Sequence, residues 1–246
     1  QALVAASRTV EGRDPHSLHS YFLRPGDPSK PVLYDVDRIR DGKSFTTRRV
    51  NAIQSGEAIF SMAVSFQVEE RSFTHQFDMP DVPPPEDLPS DRERRMAIVD
   101  KIPQEYQENF VSERAIELRP IDDVDMFRPK KRPPHQSVWM RVRDALPDDL
   151  ATQQCALAYA SDMTLLDTSL LPHGVGWMDN RLQSVSLDHS MWFHRPFRAD
   201  EWLLYVQDSP AAWGARGFTR GSIYTRDGRL VVSVTQEGLV RYWDEA

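Results

Sequence analysis

A seven-residue segment, Ala156-Leu-Ala-Tyr-Ala-Ser-Asp162, aligns without a gap on an earlier segment, Ala2-Leu-Val-Ala-Ala-Ser-Arg8. Both segments are rich in alanine and serine, whose small side chains leave the backbone of a helix open to close packing. A helix wrapped by a curved antiparallel sheet requires such slim side chains, because strands approach it from several sides. The two segments therefore predict two helices of this kind, which we expect to lie side by side against one continuous sheet.

The similarity between the two halves continues downstream of these segments. The further matches, in chain order, are Phe22-Leu-Arg-Pro25 with Phe193-His-Arg-Pro196, Phe45-Thr46 with Phe218-Thr219, and Gly56 with Gly228. Each half thus contains a small-residue helix, a strand that ends in Arg-Pro, and a hairpin of two long strands. Self-similarity in a constant order is the signature of a duplicated unit. We predict two copies of one α+β unit.

Apolar and polar residues alternate, as in half-buried strands, on both sides of the turn signals that hairpins require. The alternating runs are Val32 to Ile39, Ser44 to Ile53, Ala58 to Val68, Ala115 to Leu118, Val138 to Val142, Trp202 to Gln207, Gly217 to Tyr224 and Leu230 to Leu239. Turn dipeptides occur at Asp41-Gly42, Ser55-Gly56 and Asp227-Gly228. The pattern predicts antiparallel sheets built largely from hairpins.

A proline-rich segment separates the two copies. Five prolines lie between Pro80 and Pro89, and proline blocks both helix interiors and central strands. Ser90 follows, with Glu93 three residues later, which is the sequence pattern of a capping box and predicts a short helix. The predicted division is a first unit over 1–79, a linker with a short helix over 80–108, and a second unit over 109–246.

Composition narrows the class of protein. The 246 residues carry 30 basic and 37 acidic side chains, a formal net charge of −7, which argues against a nucleic-acid partner. The longest weakly polar run, Gln153 to Leu171, is interrupted by two aspartates, so no membrane span is predicted. The single cysteine, Cys155, cannot form an internal disulfide. We therefore expect a reducing compartment, the cytoplasm.

Several segments resemble the type II acyl-CoA thioesterases, which are medium- and long-chain acyl-CoA hydrolases with a double-hotdog fold. The segments are Tyr159-Ala-Ser-Asp162, Pro172-His-Gly-Val-Gly176, Ser186-Leu-Asp-His-Ser-Met-Trp-Phe-His-Arg-Pro-Phe197, Glu201-Trp-Leu-Leu-Tyr205, Ala215-Arg-Gly-Phe218 and Val232-Ser-Val-Thr-Gln-Glu-Gly-Leu-Val-Arg241. The resemblance implies two tandem hotdog units, each a helix wrapped by a curved antiparallel sheet, and hydrolysis of acyl-CoA without metal or bound cofactor. Relative to that family the sequence begins inside the first unit's helix, so that unit's first strand is expected to be absent from it.

The same resemblance implies the site residues. In that family an Asp, a Ser or Thr, and a Gln hold a water against the thioester carbonyl, and the matching positions here are Asp162, Ser186 and Gln236. The repeat places Arg8 opposite the Asp and Val64 opposite the Gln, so only the second unit carries the catalytic set. The chemistry suits these side chains, because thioester hydrolysis needs an acceptor for the water proton and donors for the oxyanion. An Asp on an apolar helix is also costly to bury without a partner or a task.

Two other functions remain open from the residues. Hotdog hydratases and dehydratases also bind acyl thioesters, and Asp188 and His189 are the obvious residues for that reaction. A non-catalytic acyl-CoA-binding protein would be expected to lack the three site residues. His189 and His194 could instead be a metal pair, but no third ligand is evident, so packed or hydrogen-bonded histidines are the better interpretation.

Self-association is also expected. Hotdog sheets expose long edges, and natural proteins cover such edges by pairing. We therefore predict a homo-oligomer, a dimer or a tetramer.

Overall fold

An antiparallel sheet of eleven strands dominates the computed structural model, which describes residues 1–243. The strands are β1 Asp14–Phe22, β2 Leu33–Asp41, β3 Phe45–Gln54, β4 Glu57–Gln67, β5 Ile116–Pro120, β6 His135–Val142, β7 Leu182–Ser186, β8 Asp188–Phe193, β9 Leu203–Trp213, β10 Arg216–Thr225 and β11 Leu230–Tyr242. The helices are α1 Ala2–Ser7, α2 Asp91–Met96, α3 Gln104–Val111 and α4 Leu150–Ala160. Short 3₁₀ turns lie at Pro85–Asp87, Val99–Lys101, Leu166–Ser169 and Leu171–His173.

The order of the strands shows the internal repeat. It runs β2-β3-β4-β1-β8-β11-β10-β9-β6-β5, with β7 paired to β11 beside this path. The first four strands therefore mirror the next four across the β1–β8 pair. At its centre His19 faces Ser190, its own counterpart in the repeat, and Phe22 ends β1 as Phe193 ends β8. The two units thus form one continuous sheet related by an approximate twofold axis.

The two small-residue helices pack against each other on this sheet. α1 contacts β2, β3 and β4 as well as α4, and α4 contacts β1. Ala6 and Leu157 are almost completely buried, and Ala160 is 4% exposed. Small residues allow this because no long side chain holds the helix away from its neighbours. The prediction that both helices lie together on one sheet is confirmed.

The proline-rich segment crosses the outer face of the second unit. The indole nitrogen of Trp139 donates a hydrogen bond to the carbonyl of Pro83 at 2.9 Å. Glu86 forms a bidentate ion pair with Arg226, whose Nη1 and Nη2 donate to Oε1 and Oε2 at 2.7 and 2.9 Å. The helix that follows has the predicted capping box, in which Ser90 and Glu93 satisfy each other's backbone amides. The segment is therefore tied to the sheet by both backbone and charged contacts.

The predicted alternating runs correspond to β2–β6 and β9–β11, with bounds that differ by at most six residues. The patterns did not predict β7 or α3. β7 is short and pairs only with β11, so it lacks the fully buried alternation of a central strand. α3 has no buried residue, so its sequence carries no apolar stripe.

Candidate active site

Asp162 lies immediately beyond α4, which ends at Ala160 with Ser161 as its C-cap. Its side chain is 41% exposed, so the cost of burying a charge on an apolar helix does not apply to this aspartate. The helix stops two residues earlier and turns Asp162 towards solvent. A carboxylate near the negative, carbonyl end of a helix is electrostatically unfavourable. Helix capping therefore gives no reason for an aspartate at this position.

Ser186 and Gln236 come from two adjacent strands. Ser186 is the last residue of β7 and pairs with Gly238 of β11. Gln236 lies two residues before that glycine, and side chains two apart on a strand share one face of the sheet. The two side chains are therefore diagonal neighbours. Gln236 is completely buried, whereas Ser186 is half-buried.

The three side chains form one hydrogen-bonded cluster. The Ser186 hydroxyl donates to Oδ1 of Asp162 at 3.3 Å. The Gln236 amide nitrogen, Nε2, donates to the same Oδ1 and to Oγ of Ser186, the latter at 2.9 Å. Within residues 1–243, neither Oε1 of Gln236 nor Oδ2 of Asp162 has a hydrogen-bond partner. The structure thus brings together all three residues that the sequence singled out.

His189 belongs to the surroundings of this cluster, which the sequence did not indicate. Its ring is buried between β8 and the end of α4, with Nε2 at 2.9 Å from the hydroxyl of Ser161. Nδ1 lies 4.0 Å from Oδ1 of Asp162. Burial lowers the pKa of His189, while the charges of Asp162 and Asp188 oppose that shift. Asp188 itself accepts the backbone amide of Glu237 at 2.7 Å, so its carboxylate has a structural partner.

Asp167 is a second carboxyl near Asp162. Its Oδ1 accepts the indole N–H of Trp177 at 2.6 Å. Burial raises the pKa of Asp167 to about 7, and the charge of Asp162 contributes in the same direction. The sequence marked this residue only as an interruption of an apolar run. Its altered pKa depends on neighbours that no local pattern reveals.

The segment that follows Asp162 is anchored over the inner face of the sheet. Gln207 donates to the Thr164 hydroxyl at 2.6 Å, and Gln136 donates to the Thr164 carbonyl at 2.9 Å. The two glutamines also hydrogen-bond to each other, at 2.8 Å. Because both are on sheet strands, the network holds the chain just beyond Asp162 in a set position.

Other polar side chains of the second half make local contacts. His194 hydrogen-bonds to Ser233, Arg216 pairs with Glu237, and Arg220 pairs with Asp208, each at 2.9 Å. Cys155 is partly buried, and burial raises its thiol pKa to about 11.

Across residues 1–243, no three His, Cys, Asp or Glu side chains are grouped as metal ligands would be. Over the same range, no helix is long and apolar enough to cross a membrane.

Comparison with known proteins gives consistent matches over both halves. The family described as "Acyl-CoA thioesterase" matches residues 106–239, and the one described as "Acyl-CoA thioesterase N-terminal domain" matches residues 1–67. The human protein named acyl-coenzyme A thioesterase 8 is 44% identical over 251 residues, covering 98% of this chain and 78% of that protein.

Solved structures agree with these matches. A crystal structure of an acyl-CoA thioesterase II from Mycobacterium marinum is 46% identical, with a TM-score of 0.81, over 99% of this chain and 87% of that one. A hot dog fold protein of unknown function from Alicyclobacillus acidocaldarius has a TM-score of 0.76 at 20% identity, over 98% and 85% of the two chains. Together with the repeated sheet, these similarities confirm the predicted α+β double-hotdog fold.

Proposed function

The chain belongs to the acyl-CoA thioesterase family and is therefore a thioester hydrolase, and we propose that it hydrolyses medium- to long-chain fatty acyl-CoA through a water held by Asp162, Ser186 and Gln236. The observation that carries the proposal is the convergence of two donors on one oxygen of an exposed carboxylate. With Oδ1 of Asp162 engaged by Ser186 and Gln236, Oδ2 is left to accept a proton from water.

The reaction adds one water and breaks one bond. The water oxygen attacks the thioester carbonyl carbon while one of its protons passes to Oδ2 of Asp162. The tetrahedral intermediate collapses, the carbon–sulfur bond breaks, and the sulfur leaves with the electron pair. The proton held by Asp162 then passes to the thiolate. The products are the fatty acid and coenzyme A, and the carboxylate is restored.

Ser186 and Gln236 position the reactants in this scheme. The Gln236 amide is buried and oriented by its two hydrogen bonds, which engage both of its N–H groups, so it donates to the developing oxyanion by exchanging one of these bonds when substrate binds. Ser186 orients the water through its hydroxyl. A serine nucleophile needs an adjacent base. In the part of the chain that the structure describes, no histidine hydrogen-bonds to Ser186, which favours water as the nucleophile.

The two alternative functions have weaker support. A hydratase using Asp188 and His189 would need both free for substrate, but Asp188 accepts the Glu237 amide and the ring of His189 is 5% exposed. A binding protein without catalysis gives no reason for a hydrogen-bonded Asp, Ser and Gln at one site.

The preference for a fatty acyl group is supported by apolar side chains next to the site. Tyr159 is 65% exposed on the last turn of α4, and Trp177, bonded to Asp167, is 53% exposed. Exposed apolar groups around a polar centre are typical of a ligand-binding surface.

We further propose that 1–79 and 109–246 are the two hotdog units with 80–108 as linker. Cys155, the one cysteine, supports a reducing cytoplasm.

The test is a thiol-release assay over acyl-CoA substrates of increasing chain length, run beside an enoyl-CoA hydration assay. We expect thiol release without hydration, and highest rates for medium and long chains.

Asp162→Asn keeps the shape of the side chain but removes the proton acceptor, so kcat should fall by about 10²–10⁴. Gln236→Ala should lose about 10²–10³. Ser186→Thr should remain active and Ser186→Ala should not.

The matched control is Asp123→Asn, since that carboxylate is 92% exposed, and it should behave as the wild type. An Asp162→Asn enzyme with full activity would exclude the site assignment. A burst of coenzyme A equal to the enzyme concentration, with an acyl group trapped on Ser186, would replace water by a serine nucleophile.

A further inference from the structure

A buried histidine, His189, lies next to Asp162 and outside the cluster that would contact substrate. His189 is 5% exposed, and its Nδ1 is buried without a hydrogen-bond partner within residues 1–243. That atom is 4.0 Å from Oδ1 of Asp162. A buried polar atom without a partner is costly, so its position calls for a physical reason. The carboxylate of Asp162 supplies such a reason, because its negative charge attracts the hydrogen of a protonated Nδ1 across that distance.

The other side of the ring determines which nitrogen carries the proton. Oγ of Ser161 is 2.9 Å from Nε2 of His189 and 3.2 Å from the carbonyl of Ala158, and its single proton can go to only one of them. If Ser161 donates to the carbonyl, Nε2 carries the hydrogen and the lone pair of Nδ1 faces a negative carboxylate. If Ser161 donates to Nε2, the N–H of Nδ1 faces the carboxylate instead. Electrostatics favours the second arrangement, which also uses the shorter contact.

We propose that His189 is a positioning residue for hydrolysis: its Nδ1–H, on the tautomer selected by Ser161, faces Oδ1 of Asp162 across 4.0 Å and attracts that side of the carboxylate, so that Oδ2 faces the attacking water. The proposal rests on the proposed function and extends it by one residue. Ser186, Gln236 and His189 come from three strands, β7, β11 and β8, and all three side chains approach the same oxygen, Oδ1. Two hydrogen bonds and one longer electrostatic contact restrain the carboxylate more than the two hydrogen bonds alone.

The groups packed around the histidine agree with a neutral, fixed ring. From β1, the Ser20 hydroxyl donates to the backbone carbonyl of His189 at 2.8 Å. From β9, the Tyr205 phenol donates to the carbonyl of Ser161 at 3.1 Å, and burial raises the pKa of that phenol well above its usual value. The charged neighbours are Asp162 and Asp188, and burial still lowers the pKa of the imidazole. The ring is therefore a neutral donor held from both sides.

Two amide substitutions of His189 distinguish the contribution of Nδ1 from that of Nε2. An asparagine amide can place a donor where Nδ1 was, whereas a glutamine amide reaches only the place of Nε2. We expect His189→Asn to retain most of kcat. His189→Gln should lose about tenfold in kcat with little change in KM, because the 4.0 Å contact with Oδ1 is longer than a hydrogen bond and is worth less than a hydrogen bond to a charged group.

The matched control is His194→Asn on the same segment, since His194 bonds to Ser233 away from the cluster. Wild-type kcat in His189→Gln would overturn the proposal, as would equal impairment of His189→Asn and His189→Gln. If the wild type hydrolyses acyl-CoA and Asp162→Asn does not, these outcomes count against His189 alone. If the wild type releases no thiol, the proposed function and this proposal fail together.

Discussion

At the scale of single residues, the carboxyl of Asp167 is distinguished by a pKa of about 7, raised first by burial. Its folded pKa exceeds the ordinary value of 3.8, so the folded protein binds more protons than the unfolded chain between those two values. Stability therefore falls as pH rises through this window. Above pH 7 the full cost of the buried charge is present.

We expect Asp167→Asn to stabilise the protein, because the amide removes the charge and keeps an oxygen for the Trp177 indole. The melting temperature should rise by about 2–8 °C at about pH 8, corresponding to about 1–2 kcal/mol. The gain should shrink towards pH 5, where the wild-type carboxyl is protonated in the folded state. Thermal unfolding at the two pH values measures it, with Asp123→Asn as the exposed control. An equal gain at both pH values would contradict this account.

At the scale of elements, the contact between β9 and β10 depends on a glycine. Tyr205 of β9 is completely buried, and its ring covers Gly221 on β10. A Cβ on Gly221 would lie 3.0 Å from Cζ of Tyr205 and closer still to Cε2. The phenol of Tyr205 in turn holds the carbonyl of Ser161, the residue before Asp162. The fit between two strands therefore positions the end of α4.

Gly221→Ala is expected to force the Tyr205 ring out of place, with a loss of stability of about 1–3 kcal/mol. kcat should fall as well, because Ser161 and Asp162 shift with the ring. Gly26→Ala is the control, since its added Cβ would be in ordinary contact with Ile59 at 3.4 Å. Thermal unfolding and thiol release are measured on both variants. Unchanged melting and activity in Gly221→Ala would show that the contact is not limiting.

At the scale of the whole molecule, the ten-strand path among residues 1–243 begins at the edge strand β2 and ends at the edge strand β5. β2 spans nine residues and exposes Leu33 at 65% and Ile39 at 46%, interspersed with charged side chains. Its counterpart β9 is covered by β6. Strand edges of this length are usually covered by pairing or protected by charge.

The homo-oligomer thus stays a prediction, as a dimer or a tetramer. Sedimentation velocity at micromolar concentration should show a species larger than one chain, and dilution should populate smaller ones if pairing is reversible. A monomer over the whole range would mean that the charges on β2 suffice to protect the edge.

Much of the architecture follows from the sequence alone. Alternation with turn glycines identifies the long strands, because a half-buried strand must expose every second side chain. The repeat of a small-residue helix and an Arg-Pro strand predicts two copies of one unit, and Ser90 with Glu93 marks its helix through contacts three residues apart. The resemblance of Asp162, Ser186 and Gln236 to family positions selects the site residues. All of these are local patterns, or a local pattern seen twice.

Tertiary structure alone decided how distant residues meet. Ser186 and Gln236 are 50 residues apart, and their contact depends on the register of β7 against β11, which no local pattern specifies. The contact of His189 with Asp162 depends on where α4 ends relative to β8. The raised pKa of Asp167 depends on its burial beside Trp177. Burial and electrostatic shifts are sums over neighbours in space. Spacing along the chain therefore predicts the elements, and packing between them determines the chemistry of the site.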